Sequence, residues 1–185
     1  GDFLHTMEIN GWKTVGIEPS EEAKTIAKKR MKGHLYAPDE INQLPNESFD
    51  LITMWHVLEH VDDLRSEIKQ LERLLKKGGR LVLALPNFKS HDAQYYKEYW
   101  AAYDVPRHLN HFCKTSIHNI FKDSTLNWIE TKKLIWDAYY ISFMSEQYKR
   151  HSLALLKGAI TGFISNLKAR KNGEWSSLVY ICEKQ

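Results

Sequence analysis

The chain has 185 residues, 43% of them hydrophobic and 12% aromatic, which suits one globular domain with a sizeable core. Its net charge of +3, with both signs interspersed, gives no ground for a nucleic-acid partner. Two cysteines, Cys113 and Cys182, stand far apart; they exclude a disulfide framework or a C-x-x-C motif and make a reducing, cytoplasmic compartment the expectation.

In chain order, Asp2 to about Asn10 reads as a short helix with Phe3, Leu4 and Met7 on one face, stopped by Gly11. "KTVGIEP" reads as a short strand closed by Pro19. Ser20 is a good N-cap for a second helix. Glu21 and Glu22 lie in its first turn and Lys28, Lys29, Arg30 and Lys32 crowd its far end, the order that complements a helix dipole. "FDLITMW" (Phe49 to Trp55) is a nearly continuous apolar run, the type of strand buried on both faces. Asp62 or Asp63 starts a helix striped by Leu64, Ile68, Leu71 and Leu75, and "KKGG" is predicted to end it. "RLVLALP" (Arg80 to Pro86) is another buried strand. A segment rich in aromatics and histidine runs from Asn87 to about Lys114. Then come a helix at Thr115 to Lys122, a strand at Trp128 to Trp136, a mainly helical stretch from about 138 to 170 and a closing strand, "SLVYICEK".

Helix and strand alternate, which implies parallel strands joined by crossovers in an α/β sandwich. Ligands of such sheets sit beyond the C-terminal strand ends. The informative residues are therefore Glu18, Trp55 with His56, and Pro86 with Asn87. A carboxylate at Glu18 can accept hydrogen bonds from both hydroxyls of a ribose, although any strand-end acid before a turn looks the same. "HVLEH" (His56 to His60) is formally H-x-x-E-H, in which two histidines on a helix share zinc and Glu59 acts as base. Its place directly after an apolar strand favours a ligand-binding turn, and Glu130, a conceivable third ligand, lies far downstream in a predicted strand. No metal is expected. The plain structural alternative for His60 is a histidine buried against the sheet.

Three blocks in order, "GDFL…GWKTVGIEPSEEA", "LPNESFDLITMWHVLEHVDD" and "LLKKGGRLVLALPN", resemble class I S-adenosylmethionine-dependent methyltransferases, in particular the subgroup of ubiquinone-type O-methyltransferases. "DVPRHLNHF" (Asp104 to Phe112) resembles a segment of that subgroup too, so the resemblance covers about residues 1 to 135. It implies a Rossmann-like α/β sandwich, mostly parallel, with an antiparallel last strand and a helical insertion at about 138–172 before it. It implies S-adenosylmethionine, or its product S-adenosylhomocysteine, as cofactor. Gly1 corresponds to the last glycine of the family's loop, and Asp2 and Phe3 open the helix facing the methionine end. Glu18 binds the ribose hydroxyls, Pro19 lies near the adenine, Asp39 meets the adenine amine, and Trp55 and His56 line the methionine and sulfonium region. The family's first strand and earlier glycines have no counterpart here, so the sequence reads as one methyltransferase domain over 1–185, truncated at its N-terminus.

Methyl transfer needs orientation and exclusion of water more than side-chain chemistry. A base is required only when the acceptor must lose a proton, and His108 and His111, in the segment that should cover a small-molecule acceptor, are the preferred candidates. They could instead hold that loop together. Arg107 could bind an acidic acceptor or pair with Asp104. Tyr95, Tyr96, Tyr99, Trp100 and Tyr103 could wall an acceptor pocket, or pack as one helical face at 96, 99, 100 and 103. The insertion carries a G-x-x-x-G at Gly158 and Gly162 and several basic residues. It could be a lid, a dimer surface, a peripheral membrane contact or a helix packed on its own domain. A nicotinamide-dependent oxidoreductase and a non-catalytic binding module of the same fold are the competing functional readings.

Overall fold

A computed structural model describes residues 1–185. They form two compact units, Gly1–Pro45 and Asn46–Gln185.

In the first unit, helix α1 (Asp2–Ile9) leads to strand β1 (Val15–Ile17), helix α2 (Glu21–Lys28), strand β2 (His34–Tyr36) and a 3-10 turn at Pro38–Gln43. The Ser20 hydroxyl caps α2 by accepting from the Ala23 N–H at 3.2 Å. β1 and β2 pair in parallel, Val15 opposite His34 and Ile17 opposite Tyr36. β2 has no counterpart among the expected strands, because three residues between loops show no periodicity. Ala27, Met31 and Leu35 form a small core with Leu4. Gly1 is tight for a packing reason: a Cβ there would lie 2.7 Å from that of Ala27. The Glu8 carboxylate accepts from the Lys32 N–H (2.9 Å) and the Thr14 hydroxyl (2.7 Å), fixing the loop into β2.

The second unit holds a four-stranded sheet in the order β3 (Phe49–Trp55), β4 (Leu75–Pro86), β6 (Ser177–Lys184), β5 (Leu126–Leu134). β3 and β4 are parallel, and β6 is antiparallel to both β4 and β5. The antiparallel closing strand thus stands where it was expected. Helix α3 (Leu64–Leu74) is capped by the Asp63 carboxylate, which accepts from the Arg65 and Ser66 N–H groups at 3.1 Å. Its Ile68, Leu71 and Leu74 join Leu81, Leu83, Leu85, Leu178 and Tyr180 in the main core.

Two expectations need correction. "KKGG" does not end α3. Leu75 is already extended, fully buried and paired with Phe49, so Lys76 to Gly79 bulge within β4 before Arg80 meets Leu51. β3 is not buried on both faces, since only Met54 is fully covered. It pairs with β4 alone within its sheet, whereas β4 lies between β3 and β6 and carries the buried run Leu83–Pro86.

Helix α4 (His91–Tyr96) stops where Lys97 takes a φ of 52°, and 3-10 turns follow at Lys97–Tyr99 and Ala101–Tyr103. The aromatics therefore do not share one helical face. Tyr96 and Trp100 are buried, while Tyr95 and Tyr99 are exposed. Helix α5 (Lys114–Phe121) precedes β5. The insertion between β5 and β6 is a helical pair, α6 (Asp137–Tyr148) and α7 (Ala154–Asn172). Gly158 and Gly162 bring the two together: a Cβ on either would lie 2.6 Å from the Phe143 Cα or 2.8 Å from the Tyr139 Cα. Gly162→Leu is expected to lower unfolding free energy by about 1–3 kcal/mol through overpacking, read from the midpoint of a urea denaturation curve.

Candidate functional site

In the first unit the two candidate acids follow the ends of neighbouring strands. Parallel pairing sets the ends of β1 and β2 side by side, Ile17 opposite Tyr36. Glu18 follows β1, and Asp39 lies in the turn just after β2. The Glu18 backbone N–H donates to the Tyr36 carbonyl, and its Oε1 accepts from the Ser20 N–H at 3.0 Å. Pro19 and Asp39 are exposed. Asp2 opens α1 with its carboxylate on Arg30, 2.7 Å away, and this partner holds its pKa below the usual carboxylate value. Phe3 is 40% exposed.

In the second unit β3 ends on Trp55, half-exposed, and His56, whose φ of 52° turns the chain sharply. A positive φ is uncommon for a non-glycine residue and marks a position held by its surroundings. The holding groups are visible. The His56 N–H donates to the Ala84 carbonyl, its Nε2 lies 3.3 Å from Asp137 Oδ2 and its Nδ1 lies 3.4 Å from Glu59 Oε1. Asp137 first, then Glu59, stabilise the imidazolium and raise its pKa to about 9.

"HVLEH" is not a helix. Leu58–His60 is one 3-10 turn, so His56 and His60 do not share a face. His56 engages Asp137, while His60 Nδ1 lies 3.0 Å from the Arg107 carbonyl. Glu130 is on β5 beside Lys132. Instead, the turn is zipped to the histidine-rich segment. The Glu59 carbonyl accepts from the Leu109 and Asn110 N–H groups, and the Asn110 amide donates to the Val61 carbonyl at 2.6 Å.

This zipper gathers His60, His108 and His111. The rings of His60 and His108 are 4.7 Å apart, and those of His108 and His111 are 6.5 Å apart. His108 Nδ1 lies 2.8 Å from the Ala102 carbonyl and His111 Nε2 lies 2.9 Å from the Tyr103 carbonyl. A carbonyl only accepts, so these ring nitrogens are the donors, and in the neutral ring the opposite nitrogens, His108 Nε2 and His111 Nδ1, bear the lone pairs. Both histidines line a narrow crevice with Pro86, Phe88, Trp100 and Phe112. Arg107 pairs with Asp104 at 2.8 Å. Asn87, at the end of β4, is spent on structure: its amide donates to Glu174 and to the Trp175 carbonyl.

A family model described as a methyltransferase domain matches residues 1–131. The chain belongs to this methyltransferase family. An uncharacterised methyltransferase of Bacillus mycoides is 32% identical over 98 residues, 50% of this chain and 46% of that protein. The demethylmenaquinone methyltransferase of Thermotoga maritima is 33% identical over 89 residues, 45% of this chain and 39% of that protein. The matched stretch thus spans less than half the length of these relatives. A solved SAM-dependent methyltransferase from Thermotoga maritima has the same fold, with a TM-score of 0.64 at 20% identity, covering 99% of this chain and 76% of that one.

One partner of His56 in this methyltransferase chain escaped the sequence reading, and the other was read differently. Asp137, the main partner of His56, is 81 positions downstream, beyond the reach of any local pattern. Glu59 was read as the base of a zinc motif, whereas its side chain is buried to 1% exposure beside His56. The raised pKa of His56 fixes a linkage. Its pairing stabilises the fold fully below pH 6.5 and the contribution fades as pH rises through about 9. NMR titration in the presence of chelator should find the His56 midpoint near 9, and Asp137→Asn should move it down toward the ordinary histidine value.

Proposed function

We propose that the protein transfers a methyl group from S-adenosylmethionine to the oxygen or nitrogen of a small molecule. The family match over residues 1–131 carries this reading. The residues present suit the cofactor. Glu18 Oε1 is engaged by the Ser20 N–H, which orients the carboxylate and leaves its other oxygen for ribose hydroxyls. Asp39 stands at the same end of the strand pair for the adenine amine, with Pro19 beside the adenine. Asp2 and Phe3, following Gly1, open α1 for the methionine end. Trp55 and His56 are the second unit's residues for the methionine and sulfonium region.

When bound, S-adenosylmethionine supplies a methyl group already activated by the sulfonium, so the protein's task is orientation and dryness. His56, held as an imidazolium, is unsuited to act as a base near neutral pH. His108 and His111 both line the narrow crevice, and each has one ring nitrogen not committed to a carbonyl, so they are the candidates to take a proton from a hydroxyl acceptor. Calorimetry on the intact protein separates the readings. S-adenosylhomocysteine should bind and NAD should not, and Glu18→Ala should weaken S-adenosylhomocysteine roughly 10- to 100-fold, the value of hydrogen bonds to a charged group. Binding of NAD instead would support an oxidoreductase, and binding of neither would support a non-catalytic module.

We also infer that the helical insertion meets an anionic lipid surface. No helix is long and apolar enough to cross a membrane. α7 nevertheless leaves Leu155, Leu156, Ile160, Phe163 and Leu167 exposed while its small residues pack inward. No acidic residue occurs from Gln147 to Gly173, but Lys149, Arg150, Lys157, Lys168, Arg170 and Lys171 do. An apolar stripe flanked by cations is the signature of an interfacial helix. Sedimentation with phosphatidylglycerol vesicles should retain the protein, phosphatidylcholine vesicles should not, and Phe163→Glu should release it. A stable dimer abolished by the same substitution, without vesicle binding, would refute this.

A further inference from the structure

We propose that Glu59, His60 and His108 form a binding site for a divalent transition-metal ion of the zinc class. One nitrogen from each ring and one carboxylate oxygen lie within 4.8 Å of one another. All three residues belong to the second unit, so the site does not depend on the methyl-transfer reading or on the first unit.

Three observations point to a ligand here. First, the Glu59 side chain is buried to 1% exposure, yet neither carboxylate oxygen has a hydrogen-bond partner. A buried carboxylate is costly unless a cation or strong donors compensate it. The His56 ring, 3.4 Å from Oε1, is shared with Asp137 and leaves Oε2 without a partner. Second, His60 and His108 both commit Nδ1 to backbone carbonyls, of Arg107 and Ala102. That bond fixes the tautomer in which Nε2 bears the lone pair, and metal-bound histidines are oriented by such a bond on their other nitrogen. Third, the backbone is braced on both sides. The Glu59 carbonyl accepts from Leu109 and Asn110, so the two loops carrying the ligands are tied together before any ion arrives.

The donor set selects the ion. Two imidazoles and one carboxylate suit zinc, cobalt or nickel rather than magnesium or calcium, which prefer all-oxygen sites. Tetrahedral bonds of about 2.0–2.1 Å need donors about 3.3 Å apart, so side-chain rotation must close the cluster by up to about 1.5 Å. Three protein ligands leave one coordination position open, the arrangement of sites that bind a water or a substrate atom. Asp104, whose Oδ2 lies 3.9 Å from His108 Nε2, is the nearest further carboxylate, and its other oxygen is held by Arg107. With the His108 lone pair on a metal, His111 is left as the histidine of the crevice able to take a proton.

Chelator-treated intact protein should take up one Zn2+ per chain in calorimetry, undisturbed by excess Mg2+. Co2+ should give the intense visible absorption of a tetrahedral nitrogen and oxygen site. His60→Ala and His108→Ala should each abolish both signals, and Glu59→Gln should weaken zinc at least ten-fold. His118→Ala, on α5, should change neither signal. Circular dichroism separates a lost site from a lost fold, and the stoichiometry and cobalt spectrum of the unmodified protein do not depend on any variant folding. Absence of stoichiometric zinc binding, or zinc binding unchanged in His60→Ala and His108→Ala, would overturn the proposal.

Discussion

One backbone oxygen holds the second unit's candidate site together. The Glu59 carbonyl accepts from both Leu109 and Asn110, joining the turn after β3 to a segment that has no regular structure of its own. Loops satisfy their polar groups against whatever they pack on. Here that rule fixes the position of His60, His108 and His111. The imidazoles then sort themselves by what remains. His56 gains Asp137, while His60, His108 and His111 each find a carbonyl.

A second buried node fixes the helical insertion. The Asp92 carboxylate, fully buried, accepts from Trp100 Nε1 (2.8 Å), Ser165 Oγ (2.6 Å) and Ser176 Oγ (2.6 Å). Those donors come from the aromatic segment, from α7 and from the approach to β6. Buried charge is tolerated because donors compensate it from several sides. Tyr96 repeats the pattern, donating to the buried Glu146, which also meets His151. The insertion is therefore anchored by polar networks on one side, and its exposed apolar row lies on the other. The same aromatics that looked like one helical face are divided by this anchoring. Tyr96 and Trp100 turn inward to their carboxylates, and Tyr95 and Tyr99 stay on the surface.

Elements whose signal is local were legible. β3 and β6 have the bounds that their apolar runs gave, and Ser20 and Asp63 cap their helices as short side chains at those positions do. The G-x-x-x-G of α7 carried its meaning directly, since missing side chains permit close approach regardless of context. β2 was invisible because three residues cannot show a period. The glycines after α3 were read as a cap, but Leu75 is worth more in the sheet than in a last helical turn, so the chain extends earlier. β3 looked buried on both faces because apolar composition reports the strand's chemistry and not the number of its neighbours.

The candidate site divides along the same line. Sequence alone determined the family blocks, the strand-end position of Glu18 and the two histidine-bearing motifs, because each is a short pattern read along the chain. Only the tertiary structure decided which histidine meets which group. It set His56 on Asp137 instead of on a helix with His60, and it brought His108 beside His60 and Glu59 from 48 positions away. Those pairings follow from how loops fill their hydrogen bonds once the strands are placed, and contacts of that kind leave no spacing in the sequence.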